Sequence, residues 1–184
     1  QKAVDHANPG ETILVSGGTY YEHVIIDKSL TLVGEETNIP IVDGNKTDRC
    51  MIVTADNINI NGFIIQNGFC GINVLHGNFA TIIGNKMLNN DAGIALCGSH
   101  SSTIIGNTLL DNEIGIAIVD SYNNTFYHNN FINSTYLQFG GETGRNNVEG
   151  NYWSDYDGID TDGDSIGDTP YVIDQNNRDE HPFI

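Results

Sequence analysis

The feature that most constrains this chain is an internal repeat of 22 residues. The segment at 81–85, TIIGN, recurs at 103–107, and the same offset links several other positions. One polar column repeats as Asn85, Asn107, Asn129 and Asn151. Two apolar columns follow the same spacing: Ile60, Ile82, Ile104, Phe126 and Val148, and Ile65, Met87, Leu109, Phe131 and Trp153. A fixed period of this length is typical of a solenoid, in which each repeat stacks on its neighbours.

Each period contains three short β-type runs separated by turn residues. In one period these runs lie at 86–88, 93–96 and 103–105. They are too short for helices and lack helical spacing. Equivalent strands of successive coils would pair at roughly 4.8 Å, and parallel crossovers are overwhelmingly right-handed. We therefore predict an all-β fold, a right-handed single-stranded parallel β-helix with about 22 residues per coil, and place the asparagine column at a corner.

The N-terminal third follows the same plan less regularly. A first coil is predicted from runs at 12–15, 24–26 and 30–33, and a longer second coil from runs at 39–42, 50–53 and 58–60. Residues 1–7 have apolar side chains on one side and precede Pro9-Gly10, which predicts a short helix capping the first coil. The period also weakens near Gln138, where a one-residue slip would restore the inward face.

The repeat stops at Trp153, and the remaining sequence is acidic, aromatic and non-repetitive. We predict two units: residues 1–153, the β-helix with its N-terminal cap, and residues 154–184, an irregular C-terminal capping segment. The whole chain has 7 basic and 24 acidic residues, a formal net charge of −17. This charge disfavours nucleic acid as a partner. Because no stretch approaches the roughly 20 apolar residues of a membrane span, no direct membrane insertion of this segment is expected.

An acidic loop in the capping segment predicts a structural calcium site. Aspartates alternate with glycine and small residues between Asp160 and Asp168, and Ca²⁺ takes about six to eight oxygen ligands. The expected ligands are the side chains of Asp160, Asp162 and Asp164, the carbonyl of Ile166, and the carboxylate of Asp168, directly or through a water. Additional oxygens would come from Asp155, Asp157 or Asp174. A solvated acidic turn without an ion is the alternative.

Several segments together resemble a known family. The segments 3–15, 18–22 and 25–35 look like the first coil of NosD-like β-helix proteins, and the coils from 57 to 133 resemble their PbH1 repeats, of the carbohydrate-binding and sugar-hydrolase type. The segment 151–171 is similar to the C-terminal part of archaeal cell-surface members. Its aspartate loop resembles the calcium loops of dockerins and thrombospondin type 3 repeats. The resemblance implies export and an extracellular, cell-surface or periplasmic setting.

The resemblance implies three functions, of which a non-catalytic surface module is favoured. Such a module would be structural and bind glycans or other surface proteins, with exposed aromatics as stacking platforms: Tyr20, Tyr21, Tyr122 and Tyr127. The alternative role of these aromatics is packing within the turns. A copper accessory protein for nitrous oxide reductase is the second function, but Met87 and Cys97 fall in separate apolar columns. A polysaccharide lyase, hydrolase or epimerase is the third. Its best carboxylate pair is Asp91 and Glu113, which lie one period apart. The alternative is that both are ordinary acidic residues of a solvent-exposed turn.

Overall fold

The computed structural model describes residues 1–139, 145–174 and 176–184, the side chains of 136–139 excepted, and these ranges form a parallel β-helix. One short helix, α1 (Lys2–His6), precedes the strands in this described part. The strands, numbered β1 to β22 in chain order, form three sheets, and their pairings are parallel except for β21 with β22. The predicted all-β solenoid is confirmed. No helix in the described ranges is long and apolar enough to cross a bilayer.

Each of the first six coils contributes one strand to each sheet, and the last coil adds β19 and β20 to sheets A and B. Sheet A contains, in spatial order, β1 (Thr12–Val15), β4 (Thr31–Gly34), β7 (Asn59–Asn61), β10 (Thr81–Ile83), β13 (Thr103–Ile105), β16 (Thr125–Tyr127), β19 (Asn147–Glu149), β22 (Arg178–Asp179) and β21 (Tyr171–Val172). Sheet B contains β2 (Thr19–Tyr20), β5 (Ile41–Asp43), β8 (Ile64–Gln66), β11 (Lys86–Leu88), β14 (Thr108–Leu110), β17 (Asn130–Ile132) and β20 (Tyr152–Trp153). Sheet C contains β3 (Val24–Ile26), β6 (Met51–Val53), β9 (Cys70–Leu75), β12 (Ala92–Cys97), β15 (Ile114–Val119) and β18 (Thr135–Phe139).

The apolar columns fill the interior in the predicted register. Ile82 pairs with Ile60 on one side and Ile104 on the other, and Met87 pairs with Ile65 and Leu109. All of these side chains are fully buried. Successive residues of a strand point to opposite faces, so in the three-residue strands β10 and β11 the central residue is buried in the core and its neighbours face outward. Burying one such side chain stabilises the fold by about 1.5–3 kcal/mol.

The asparagine column forms a continuous ladder at the corner between sheets A and B. The backbone N–H of Asn85 donates to Oδ1 of Asn107 at 2.9 Å, and its side-chain amide donates to the same oxygen and to the carbonyl of Ile60. Asn107 and Asn129 repeat this pattern on the next coil. A buried amide needs hydrogen-bond partners. Here the side-chain oxygen of each asparagine after Asn85 accepts hydrogen bonds from the asparagine of the preceding coil, and its amide donates to a backbone carbonyl. The predicted structural role of the column is confirmed.

The predicted division of the N-terminal coils is wrong. β4 pairs with β1, Thr12 opposite Thr31, so it opens the second coil and does not close the first. The strand omitted from the prediction is β2, which has only two residues. Register also changes between β15 and β18, where Ile116 lies opposite Tyr136. That partner is two residues short of Gln138, so the predicted one-residue slip is wrong in size. The side chain of Gln138 lies outside the described residues.

Both ends of the solenoid are covered. At the N-terminal end Val4 of α1 is buried against the core, and the Gln1 amide exchanges hydrogen bonds with the backbone of Ile25 on the outer edge of β3. This confirms the predicted helical cap. At the other end Trp153 stacks between Phe131 and Tyr171, with ring centroids 4.1 and 4.3 Å away. Because β22 and β21 extend sheet A, the capping segment is continuous with the solenoid.

Candidate functional site

The structure brings together three of the predicted calcium ligands. One carboxylate oxygen from each of Asp160, Asp162 and Asp164 lies within 4.8 Å of the other two, and Asp162 and Asp164 are exposed. Among the described residues, this is the one cluster of three or more His, Cys, Asp or Glu side chains with metal-binding proximity. Oxygen donors alone suit a hard cation such as Ca²⁺ rather than a soft metal.

The loop takes this shape because its aspartates bind its own backbone. Asp160 accepts hydrogen bonds from the N–H groups of Gly163 at 2.6 Å and Ser165 at 2.9 Å, and Asp164 accepts one from Ile166 at 2.8 Å. Gly163 and Ser165 both have positive φ, at 80° and 71°. Such side-chain-to-backbone bonds are the means by which aspartate stabilises tight turns. A tight turn built from closely spaced aspartates and a glycine therefore directs several carboxylates toward one point.

The pKa values of two loop carboxylates are shifted in opposite directions. The backbone N–H of Ser165, followed by that of Gly163, holds the pKa of Asp160 below its ordinary value. The negative charge of Asp164 raises the pKa of Asp162. A raised carboxyl pKa beside like charges means that the ionised cluster repels itself. A bound divalent cation would remove this repulsion.

Asp168 closes the loop instead of joining the three clustered carboxylates. Its Oδ2 accepts hydrogen bonds from the backbone N–H of Thr161 at 2.8 Å and the Thr161 hydroxyl at 2.5 Å. Its own N–H donates to the carbonyl of Ile159 at 2.8 Å. The ligand roles of Asp168 and Ile166 stay predictions. Of the additional oxygens considered, those of Asp155 accept the hydroxyl of Tyr171.

The loop is tied to the last coil through the C-terminal residues. Gly167 N–H donates to Pro182, and Ile184 N–H donates to Ser165. Phe183 N–H donates in turn to the carbonyl of Asn151 at 2.9 Å. Three backbone hydrogen bonds therefore connect the loop with the corner ladder of the solenoid through the C-terminal residues.

Asp179 ends the asparagine ladder, a role that sequence reasoning missed. This fully buried carboxylate accepts hydrogen bonds from the N–H groups of Gly150 and Asn151, both at 2.8 Å. It also accepts from the Asn151 amide, the Trp153 indole and the N–H of His181. Asp179 lies 28 residues after Asn151, outside the repeat. The one signal in the sequence was that Asn151, as the last residue of the ladder, needs a hydrogen-bond acceptor beyond the repeat.

The weak catalytic candidates Asp91 and Glu113 lie one coil apart in the turn between sheets B and C. The N–H of Ile114 donates to the carbonyl of Asp91 at 2.8 Å, which fixes the two turns as neighbours. Both side chains are exposed to solvent. Above them, at the equivalent turn position of the preceding coil, is the exposed aromatic ring of Phe69. A catalytic role for the pair stays a prediction.

The thiol and thioether groups considered for copper lie in two separate apolar clusters. Cys50 is buried in the interior core with Met87, whereas Cys70 and Cys97 belong to a small apolar cluster on the outside of sheet C. Burial raises the pKa of Cys50 to about 12 and raises that of Cys70 further. A Cu(I) site uses thiolates or thioethers that converge on one point. Cys70 is close enough to Cys50 and Cys97 for their charges to raise its pKa, but among the described residues no three thiol, imidazole or carboxylate donors that include a cysteine converge as the loop aspartates do.

The predicted aromatic platforms differ in exposure. Tyr21 is 72% exposed, whereas Tyr20 is only partly exposed and donates its hydroxyl to the carbonyl of Ser16. Tyr122 and Tyr127 are exposed, and each stacks on a histidine, His100 and His128 respectively.

Three comparisons relate this chain to known proteins. A family model described as periplasmic copper-binding protein (NosD) matches residues 40–158. A cell surface glycoprotein of Methanothermus fervidus is 33% identical over 92 residues, which span 48% of this chain but only 15% of that protein. The crystal structure of an alginate lyase from Paenibacillus sp. str. FPU-7 has a TM-score of 0.62 at 15% identity, covering 83% of this chain and 72% of the lyase. This last likeness shows the fold alone. Because the family model covers well over half of the sequence, the chain belongs to the NosD family of β-helix proteins.

Proposed function

We propose that this chain is a non-catalytic β-helix module of the cell surface or periplasm whose C-terminal cap is stabilised by Ca²⁺. The observation that carries the calcium part is the convergence of Asp160, Asp162 and Asp164 within 4.8 Å in a loop bonded to the last coil. The similarity to a cell surface glycoprotein and the periplasmic family description support the setting. Glycans or other surface proteins would be the partners of the module.

Calcium would act on stability through the capping segment. A ligand that binds only the folded state adds about 2.7 kcal/mol at a concentration 100-fold above its dissociation constant. The mutual repulsion of the loop carboxylates acts in the opposite direction when no cation is present. Calcium addition should therefore raise the Tm, and a chelator should lower it.

The decisive experiment compares Asp162→Asn and Asp164→Asn with a matched control, Asp120→Asn. Asp120 is exposed and has a positive φ of 46°, which asparagine tolerates well. Without calcium, each loop variant should melt at or above the Tm of the wild type, because one repelling charge is gone. With calcium, the loop variants should lose most of the gain that wild type and Asp120→Asn both show. A wild-type Tm that ignores both calcium and chelator would sink the proposal.

Copper binding is a second candidate because the family description names it. The described thiols lie in two separate clusters and burial raises the pKa of Cys50 and Cys70, so we expect no high-affinity site on the isolated chain. A competition titration with a chromogenic Cu(I) chelator tests this, with Cys70→Ser and Cys97→Ser as variants. Stoichiometric copper capture that either variant abolishes would reverse the ranking of the two candidates.

A further inference from the structure

We propose that this chain binds acidic oligosaccharides along the corner between sheets C and A, in a track that ends in an arginine-lined cleft beside the cap. The proposal rests on the glycan-binding part of the proposed function and names its site and ligand class. It is independent of the calcium part. The corner track is defined by Phe79, Ser101, Asn123 and Arg145, together with the adjacent Tyr122.

Stacking of the coils places the four track residues in one column. Phe79 N–H donates to the carbonyl of His100 at 3.1 Å, and Ser101 N–H donates to that of Tyr122 at 3.4 Å. One coil further, Asn123 N–H donates to the carbonyl of Arg145 at 2.9 Å. With a rise of about 4.8 Å per coil, the column extends for roughly 14 Å along the solenoid. A linear chain of sugar units can follow such a column.

Phe79 is an unusual residue for its position. Its φ is 57°, and the equivalent positions of neighbouring coils hold Asn57, Ser101 and Asn123 with φ between 56° and 60°. Asparagine tolerates this left-handed conformation, whereas an aromatic residue there is strained. The ring is also 57% exposed, so it contributes little to the core. A strained backbone combined with an exposed ring suits a binding platform better than a core residue.

Tyr122 supplies a second, oriented aromatic face on the same corner. It is 48% exposed, and its ring stacks on His100 with centroids 3.9 Å apart. The backbone N–H of Tyr122 donates to Nδ1 of His100, which fixes the histidine beside it. The electron-rich face of an aromatic ring attracts the C–H groups of an apolar sugar face. Phe79 and Tyr122 lie two coils apart, about 10 Å along the axis.

The track ends in a polar cleft of about 360 Å³, lined by Asn123, Arg145, Asn147, Glu149, Arg178 and Glu180. This volume lies within the range of small-molecule sites. The cleft contains two of the three arginines of a chain whose net charge is −17. Asparagine amides can donate to and accept from hydroxyl groups, which suits a sugar.

Among the described residues, one cation of the cleft, Arg145, is left without a carboxylate partner. Glu180 accepts a hydrogen bond from Nε of Arg178 at 2.6 Å, and Glu149 pairs with Nδ1 of His181. Arg145 has no ion pair with any described residue. A guanidinium group presents a planar fork that matches a carboxylate or a sulfate ester in bidentate geometry. An anionic sugar unit is therefore drawn to this end of the track, while the rest of the acidic surface repels it.

The test is isothermal titration of the chain in calcium-free buffer, since Ca²⁺ also binds sugar carboxylates. Three probes are used: a galacturonic acid hexamer, its methyl-esterified form and a sulfated galactan oligomer. The acidic hexamer should bind at least tenfold more tightly than the ester, and more weakly at high salt. Preference for the sulfated oligomer over the hexamer would identify sulfate as the natural anionic group and still support the track.

Three variants and a control localise the site. Arg145→Gln should weaken the acidic hexamer at least tenfold and leave the ester unchanged, whereas Phe79→Asn and Tyr122→Ala should weaken both probes. Phe79→Asn restores the residue type of neighbouring turns, so it should fold at least as well as wild type. Lys86→Gln removes a positive charge from sheet B, away from the track, and should bind like wild type.

The outcomes separate the two levels of the proposal. If a probe binds Arg145→Gln and Phe79→Asn as tightly as wild type, the proposed track is wrong, although the chain still binds glycans. Absence of binding by all three probes overturns both the track and the glycan-binding part of the proposed function. The calcium melts test the remaining part independently.

Discussion

Replacement of Asp179 by asparagine isolates the chemistry that ends the solenoid. Oδ2 of Asp179 accepts hydrogen bonds from the Asn151 backbone, the Asn151 amide and the Trp153 indole at 2.8 to 3.1 Å. Oδ1 accepts from the N–H groups of Gly150 and His181 at 2.8 and 3.2 Å. Asparagine has the same shape but only one oxygen, so it serves one of these two groups of donors. Its amide must then face N–H groups on the other side.

The magnitude follows from the donors that lose their acceptor. In the better orientation the asparagine oxygen keeps the three donors at Oδ2, and the two at Oδ1 face another donor. An unsatisfied buried donor costs about 1–3 kcal/mol. The N–H of Gly150 is buried, whereas that of His181 is only partly buried, so the second donor adds less than the first. Opening of the cap admits water and limits the cost, so we expect about 3 kcal/mol. Total stabilities of 5–15 kcal/mol are usual for a domain, so this effect is large.

Trp153 provides the assay because it is the only tryptophan of the chain and is buried against Asp179. Urea unfolding followed by its fluorescence should show an earlier transition in Asp179→Asn than the far-ultraviolet circular dichroism of the whole solenoid. A terminal unit of a repeat protein can open locally in this manner. Glu180→Gln is the matched control, since it removes a charge one residue away in an exposed ion pair that contributes about 0–1 kcal/mol. A Trp153 transition within about 0.5 kcal/mol of wild type would refute the reasoning.

Two further predictions test the core register and the pH dependence of the cap. Leu109→Asp should abolish soluble folded protein, because it places a carboxylate at a fully buried position between Met87 and Phe131; a soluble variant with a wild-type circular dichroism spectrum would show that the column is misassigned. The hydrogen bond to Glu149 raises the pKa of His181 above 6.5, so its stabilising contribution is complete below that pH and is lost as the pH rises through the raised value. Glu149→Gln should therefore lower the Tm near pH 6 but not near pH 9, and a Tm difference independent of pH in this range would contradict the assignment.

The regular coils were predictable because their period fixes both pairing and burial. Once Ile82 and Ile104 occupy equivalent positions, parallel pairing determines which side chains point inward. In the structure these two residues pair and are fully buried, as predicted. The N-terminal coils were not predictable at this level. The step from β1 to β4 is 19 residues (12 to 31), and that from β4 to β7 is 28 (31 to 59). Turns of different length change the sequence spacing without changing the pairing of the strands, so the period disappears while the sheets continue.

The candidate site was predictable only in part, for a related reason. The alternating aspartates indicated the convergence of Asp160, Asp162 and Asp164, because tight turns are local in sequence. The role of Asp168 in closing the loop depends on Thr161, whose hydroxyl carries no such signal. The importance of Phe79 was not predictable, because its positive φ and its exposure are known only from the structure. Asp179 pairs with a ladder from outside the repeat, and only the three-dimensional path of the cap brings it there.

The loop and the end of the asparagine ladder should be energetically coupled, since the same short segment joins them. Phe183 and Ile184 follow Asp179 closely and form backbone hydrogen bonds with Asn151 and with Ser165 of the loop. A cation that ordered the loop would therefore also hold the segment that positions the Asp179 carboxylate. In a double-mutant cycle with Asp162→Asn and Asp179→Asn, we expect a coupling of about 0.5–3 kcal/mol in calcium, the range for residues that share a network. With chelator the coupling should fall, because the loop then transmits no binding energy. Strict additivity in calcium would mean that the loop and the ladder are stabilised separately, and that calcium acts on the loop alone.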